Sequence, residues 1–169
     1  DGAGAVIVSA TNEDRGILSH HLHSEGKYAK ELWIETPSAQ MYPRLTEELV
    51  KDGRHHLKMN GREVFKQAVK RFPEVIIECL EHNNIAANEI DLFLPHQANI
   101  RINKMVQDKL GLKDEQVFNN IHKYGNTTSA TIPILMSEAY KSGKIKDGDL
   151  ILMAAFGSGF TWGASLMRW

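Results

Sequence analysis

The sequence lacks the features that define several protein classes. Its single cysteine, Cys79, excludes an internal disulfide framework and predicts a reducing compartment, the cytoplasm. No apolar run approaches the roughly 18–20 residues of a membrane span, and no signal peptide precedes the first apolar run, so we expect no membrane association. The net charge of −1 gives no electrostatic reason to expect nucleic acid as a partner.

The composition is that of an ordinary globular protein. With 169 residues, of which 42% are apolar and 24% charged, the chain is long enough for one domain with a sizeable core. It begins without methionine, and Asp1-Gly2-Ala3-Gly4 leads directly into an apolar run. We therefore expect the chain to be a piece of a longer protein.

Apolar runs and helical periodicity predict an α/β fold, with a mixed sheet covered by helices on both faces. Strands are expected at residues 3–10, 17–23, 92–94, 117–121, 149–156 and 160–169. Helices are expected at residues 60–83, 99–110 and 128–141. Asn60 is a candidate N-cap, Gly111 a candidate C-cap, and Pro73 is expected to kink or split the first helix.

Polar side chains follow two of the predicted strands. His96 comes directly after the strand at 92–94, and Asn126 follows the one at 117–121. Open α/β sheets bind ligands at the carboxyl ends of their strands. A histidine and an asparagine placed there predict two hydrogen-bond donors that stabilise an oxyanion or an enolate. A nucleophile is missing, because Cys79 lies on the apolar face of its helix and is expected to be inert core packing.

Other candidate groups carry alternative interpretations. The Gly157-Ser158-Gly159 turn offers a backbone N–H to an oxyanion, or a serine that would act with His96 in a hydrolase. His20, His21 and His23 alternate along a strand, and no third ligand completes a metal site, so no metal is expected. Arg62, Lys66 and Lys70 form a basic helical stripe, and Arg101 and Lys104 a basic turn. These charges suit an acidic or phosphate-bearing partner.

Five motifs match one enzyme family in order. They are Asp1-Gly2-Ala3-Gly4-Ala5, Met59-x-Gly61-x-Glu63-Val64-Phe65-Lys66, Pro95-His96-Gln97-Ala98-Asn99-x-Arg101-Ile102, Gly125-Asn126-Thr127 and Ala155-Phe156-Gly157-x-Gly159-Phe160-Thr161-Trp162-Gly163. On these motifs, which together span almost all of residues 1–169, the chain closely resembles the carboxyl-terminal half of β-ketoacyl-acyl carrier protein synthase III, of the thiolase-like superfamily. The resemblance implies one βαβαβ-type half with a mixed five-stranded sheet covered by helices.

The resemblance also implies an acyltransferase that initiates fatty acid synthesis by decarboxylative Claisen condensation. A cysteine of the amino-terminal half, absent from this chain, would take an acyl group from acyl-CoA. Malonyl-acyl carrier protein would then decarboxylate, and the resulting enolate would attack the acyl thioester. His96 and Asn126 would hold the malonyl carbonyl, and the N–H of Ser158, where many members have glycine, would serve an oxyanion hole.

Further residues match family positions with known roles. Five of them would line the substrate channel or contact the pantetheine arm: Phe65, Phe156, Gly61, Ala98 and Asn99. Three basic residues match positions that attract the acidic carrier protein: Lys66, Arg101 and Lys109. Asp108 stands where some members have a lysine of this patch.

The implied partners are acyl carrier protein, acyl-CoA, the amino-terminal half and a second copy in a homodimer. No cofactor is expected, because acyl-CoA and malonyl-acyl carrier protein are substrates, and the isolated chain is expected to be inactive. Two alternatives stay open. One is a non-catalytic module that binds acyl chains or carrier protein, and the other is a related condensing enzyme of polyketide or secondary metabolism.

Overall fold

The computed structural model describes residues 1–169 and confirms the α/β fold. The strands are β1 (Gly16–Ser24), β2 (Leu32–Trp33), β3 (Lys58–Met59), β4 (Leu92–Pro95), β5 (Leu150–Gly157) and β6 (Thr161–Arg168). The helices are α1 (Glu47–Lys51), α2 (Gly61–His82), α3 (Ile100–Leu110), α4 (Ile121–Tyr124) and α5 (Thr131–Lys141). Short 3-10 segments lie at Gly26–Glu31, Ala87–Glu89, Asp114–Gln116 and Thr128–Ala130.

The main sheet has four strands in the order β1-β6-β5-β4. Strand β4 runs parallel to β5, with Leu92 opposite Ile151, and the other two pairs are antiparallel. Strands β2 and β3 form a separate two-stranded ribbon. Because β4 and β5 are parallel, their carboxyl ends meet at the same edge of the sheet.

Alternating side chains of the central strands fill two cores. Leu152, Ala154 and Phe156 of β5 join the larger core, which α2 and α3 cover. Ile151 of the same strand joins the smaller core beneath α5. All four residues of β4 are buried, as expected of a strand covered on both faces.

Helix α2 is one continuous element of 22 residues. The Asn60 side chain accepts a hydrogen bond from the Glu63 N–H, which confirms the predicted N-cap. Pro73 does not split the helix, because Pro73 and Phe72 are buried within its packed face and tertiary packing holds the turn that proline weakens. None of the chain's helices combines the length and apolarity needed to cross a membrane.

Two of the six strands predicted from the sequence are absent, so the main sheet has four strands, one fewer than the five that the resemblance implied. Residues 1–12 form no regular element and no backbone–backbone hydrogen bond, and Ile7 is 99% exposed. A strand requires a neighbouring strand, and no segment of this chain pairs with the run at 3–10. At 117–121, Val117 forms only an isolated parallel bridge with Phe93 before the chain turns away.

Candidate functional site

The carboxyl ends of β4 and β5 border an open cavity of about 1620 Å³. His96 follows β4 directly, and its N–H donates to the Ala154 carbonyl of β5 at 2.8 Å. Strand β5 continues to Gly157, where the chain turns toward β6. The parallel pairing of the two strands therefore brings the His96 loop and the Ser158 turn to the same edge of the sheet.

The His96 imidazole is held from one side. Its Nδ1 lies 2.6 Å from Oγ1 of Thr131, the first residue of α5. Burial lowers the pKa of His96 from its ordinary value of 6.5. A lowered pKa means that the neutral imidazole persists at pH values where an exposed histidine is protonated. At neutral pH the ring is therefore uncharged.

Asn126 lines the same cavity from the loop between α4 and α5. Gly125 before it has φ +67°, and Thr128 after it has φ +52°, a left-handed conformation that is uncommon for a threonine. The Asn126 Oδ1 accepts a hydrogen bond from the Thr128 N–H at 2.9 Å. The carbonyl oxygen of the amide is thus occupied, which leaves the Nδ2 protons as donors.

Ser158 lies exposed in the turn between β5 and β6. Its N–H donates no hydrogen bond within the chain, whereas its carbonyl accepts one from the Thr161 hydroxyl at 2.9 Å. The Ser158 hydroxyl makes no hydrogen bond to His96. The turn therefore offers a free backbone donor, and the serine–histidine pair that a hydrolase would need is not formed.

Gln97 fixes the loop that precedes Asn126, a role that the sequence analysis missed. Its buried amide donates to the Pro95 carbonyl at 2.8 Å and to Asn119 at 3.0 Å. The amide oxygen accepts from the N–H groups of Asn120 and Ile121, both at 3.0 Å. An amide directly after a buried strand was the available signal. Through it, the end of β4 is tied to the segment that enters α4, the short helix before Asn126.

The cavity collects most of the residues that were predicted for a site. Besides His96 and Asn126, its lining includes Gly61, Phe65, Ala98, Asn99, Arg101, Phe156 and Ser158. Lys66 and Lys109 do not line it. Lys66 lies exposed on α2, 3.6 Å from Glu63. Lys109 lies eight residues beyond Arg101 on α3, which is about 12 Å at the helical rise per residue.

The carboxyl-terminal part of the chain matches a known protein family. Residues 80–169, more than half of the chain, match the family described as 3-oxoacyl-[acyl-carrier-protein (ACP)] synthase III C terminal. The chain belongs to this synthase III family.

Individual relatives agree with the family. The chain is 46% identical over 170 residues to the β-ketoacyl-[acyl-carrier-protein] synthase III of Desulfotalea psychrophila, covering 100% of this chain and 51% of the relative. The crystal structure of 3-oxoacyl-[acyl-carrier-protein] synthase III from Aquifex aeolicus superposes with a TM-score of 0.83 and 40% identity, over 95% of this chain and 47% of that one. The chain therefore spans about half the length of these synthases, and its fold is thiolase-like.

A third relative comes from another pathway. The priming β-ketosynthase of the R1128 polyketide biosynthetic pathway superposes with a TM-score of 0.75 and 28% identity, over 90% of this chain and 45% of that one. The same half-enzyme fold therefore occurs in a polyketide ketosynthase as well as in synthase III.

Three other candidate groups of this synthase III domain have partners or surroundings that account for them. Cys79 is fully buried, and burial raises the pKa of its thiol, so a reactive thiolate is disfavoured. His21 and His23 both hydrogen-bond the Glu78 carboxylate, at 3.1 and 2.6 Å. The chain contains no group of three histidine, cysteine or acidic side chains arranged to hold a metal ion.

Proposed function

We propose that residues 1–169 are the carboxyl-terminal domain of a β-ketoacyl-acyl carrier protein synthase III, a cytoplasmic, homodimeric acyltransferase that initiates fatty acid synthesis. One observation carries the proposal. His96, Asn126 and the Ser158 N–H border one cavity, and Asn126 and Ser158 each present an unused hydrogen-bond donor. A developing oxyanion is stabilised by hydrogen-bond donors that are already in position around the cavity.

The donors support a decarboxylation followed by a condensation. In malonyl-acyl carrier protein, the bond between the carboxylate and the α-carbon breaks, carbon dioxide leaves, and the electron pair moves into the thioester as an enolate. His96 and Asn126 donate to the enolate oxygen. The α-carbon then attacks the carbonyl carbon of an acyl thioester. The resulting oxyanion accepts a hydrogen bond from the Ser158 N–H, and the thiolate of the acyl thioester departs as the carbonyl re-forms. Neither step calls for a cofactor or a metal.

The acyl thioester is held on a cysteine of the amino-terminal half. This assignment follows from the state of Cys79, which is buried on α2 with a raised pKa and is hydrogen-bonded to Ser19. The exposed apolar segment Val6–Val8 supports the presence of a covering half. We therefore assign acyl-CoA as the donor of the first half-reaction.

Other residues of the cavity wall are assigned to the acyl chain and the pantetheine arm of the substrates. Phe65 and Phe156 give the channel apolar sides, with the Phe156 ring packed against Phe160 at a centroid distance of 4.9 Å. Gly61, Ala98 and Asn99 lie where α2 and α3 begin, and we assign them to the pantetheine arm. Their small side chains leave room for a narrow, mostly apolar linker.

The carrier protein docks on basic residues beside the cavity. Arg101 lies in the first turn of α3 and is exposed at the cavity, and Lys66 lies on the neighbouring α2. Lys109 extends this surface along α3. A basic surface around a cavity steers an acidic partner toward it and raises the association rate.

Asn126→Asp tests the function directly. The aspartate keeps the size of the side chain and replaces the Nδ2 donor with a negative oxygen that repels the enolate. We expect the rate of malonyl decarboxylation to fall by about 10²-fold, close to the loss of one oxyanion donor. The assay measures carbon dioxide release from malonyl-acyl carrier protein by this chain assembled with the amino-terminal half of a synthase III.

Asn88→Asp is the matched control, because Asn88 is exposed and lies outside the cavity. It should leave the rate unchanged. An Asn126→Asp variant as active as the Asn88→Asp variant would contradict the proposed function. It would favour a non-catalytic module that binds acyl chains or carrier protein.

Arg101→Glu tests the docking surface. Reversing this charge should raise the KM for malonyl-acyl carrier protein about tenfold, the equivalent of about 1.4 kcal/mol, with kcat changed little. The effect should shrink as salt is added, because exposed charges are screened. The control is Lys146→Glu, an exposed lysine outside the cavity. Equal KM values for the two variants would place the carrier protein elsewhere.

The resemblance to a polyketide priming ketosynthase supports a second candidate pathway. Both pathways use the same donors and differ in the acyl group that is loaded. A comparison of acyl-CoA substrates with the assembled enzyme separates them: preference for acetyl-CoA favours fatty acid initiation, and preference for an unusual starter favours secondary metabolism.

A further inference from the structure

The hydroxyl of Thr131 has a single partner. Thr131 is 2% exposed, and its Oγ1 is hydrogen-bonded only to Nδ1 of His96, at 2.6 Å. A hydroxyl carries one proton, and a buried hydroxyl proton without an acceptor is destabilising. If Nδ1 of His96 carried a proton, it would donate to Oγ1, and the threonine's own proton would have no acceptor within the chain.

We propose that Thr131 is a positioning residue that holds His96 in the tautomer with its proton on Nε2. The threonine hydroxyl donates to Nδ1, so Nδ1 is the acceptor nitrogen of a neutral ring. The only ring proton then lies on Nε2, the nitrogen on the side of the imidazole that Thr131 leaves open.

The surroundings of His96 favour this neutral form. No carboxylate hydrogen-bonds the ring, and its one side-chain partner is Thr131 at the start of α5. The amino end of a helix carries partial positive charge, which disfavours an imidazolium beside it. Burial also lowers the pKa of His96. A neutral imidazole carries its one proton on either Nδ1 or Nε2, and the hydrogen bond from the threonine hydroxyl favours Nε2.

The hydrogen bond that orients His96 is similar to the one that orients Asn126. There the Thr128 N–H occupies the amide oxygen, and here the Thr131 hydroxyl occupies the imidazole acceptor. Thr128 and Thr131 thus each donate to an acceptor atom, one on Asn126 and the other on His96. In the reaction assigned above, on which this consequence rests, the other His96 tautomer would turn a lone pair toward the enolate oxygen and repel it.

The tautomer is measurable without any reaction. In two-bond proton–nitrogen correlation spectra of the ¹⁵N-histidine-labelled chain, His96 is assigned by the signals that His96→Gln removes. We expect Nδ1 to resonate as an unprotonated nitrogen and Nε2 as a protonated one. Thr131→Ser should keep this pattern and Thr131→Val should lose it. Thr36→Val, which also removes a fully buried hydroxyl, should leave it unchanged. A proton on Nδ1 in the unaltered chain overturns the proposal.

Kinetics of the assembled enzyme give the second test. Thr131→Val should lower kcat for malonyl decarboxylation by roughly 10- to 100-fold, the range seen when the outer partner of a metal-ligating histidine is removed. KM should stay the same, and Thr131→Ser should restore most of the rate. A Thr131→Val variant that loses the tautomer and keeps its rate would contradict the role assigned to His96 and leave the tautomer assignment intact. If it keeps both, the positioning role is wrong.

Discussion

Replacing His96 with alanine is expected to lower the rate of malonyl decarboxylation by about 10²- to 10³-fold in the enzyme assembled from both halves. The loss is large because the Nε2–H group donates in a partly buried site, where a fixed donor stabilises charge more than it does in water. The backbone N–H of His96 bonds Ala154, and Gln97 anchors the following loop, so the substitution leaves the framework of the site in place.

Two comparisons make this result specific. His82→Ala removes an exposed histidine at the end of α2 and should leave the rate unchanged. Binding of carrier protein to His96→Ala, measured by surface plasmon resonance, should remain close to that of the unaltered enzyme, because the substitution leaves the basic residues assigned to carrier protein unchanged. Undiminished decarboxylation by His96→Ala would rule out the catalytic role and favour a binding module.

The isolated chain is expected to carry no acyl group after incubation with radiolabelled acetyl-CoA. The only thiol belongs to Cys79, which is fully buried on the inner face of α2. Burial raises the pKa of that thiol, so the nucleophilic thiolate is scarce at neutral pH. Label that survives acid precipitation is counted on this chain and on the chain assembled with its amino-terminal half.

The assembled enzyme should retain about one acyl group per active site, and a Cys79→Ser substitution should not reduce it. Stable labelling of the isolated chain that disappears in Cys79→Ser would place the nucleophile in this domain. The assignment of acyl loading to the other half would then be wrong.

Most of the sheet was predictable from the sequence because its strands are short apolar runs bounded by turns. The runs at 92–94 and 149–156 became β4 and β5, and Gly111 ended α3 with φ +66° as expected of a C-cap. The run at 3–10 was as apolar as the others and formed no strand. Strand formation depends on a neighbour that local composition does not specify.

The position of His96 was predictable for a general reason, and its surroundings were not. A polar residue after a buried strand lies at the edge of the sheet where ligands bind. Its partner Thr131 is 35 residues away in sequence, at the start of a helix, and no periodicity links the two. Contacts of this kind depend on how the elements pack, so the sequence analysis did not single out Thr131 or the clamp formed by Gln97.

The strand order also determines when the domain can fold during its synthesis. Strands β1 and β4 are made first, yet they are not neighbours, and their partners β6 and β5 come last in the sequence. No ladder of the main sheet can therefore form until residues beyond 150 have been made, and β1 must wait for β6. Before then only helices, their mutual contacts and the small β2–β3 ribbon can form, and the face of α2 that packs against β5 and β6 stays uncovered. Pairing strands that are far apart in sequence slows folding and prolongs the time during which apolar segments are exposed and can aggregate. We therefore expect the nascent domain to bind chaperones that recognise apolar segments.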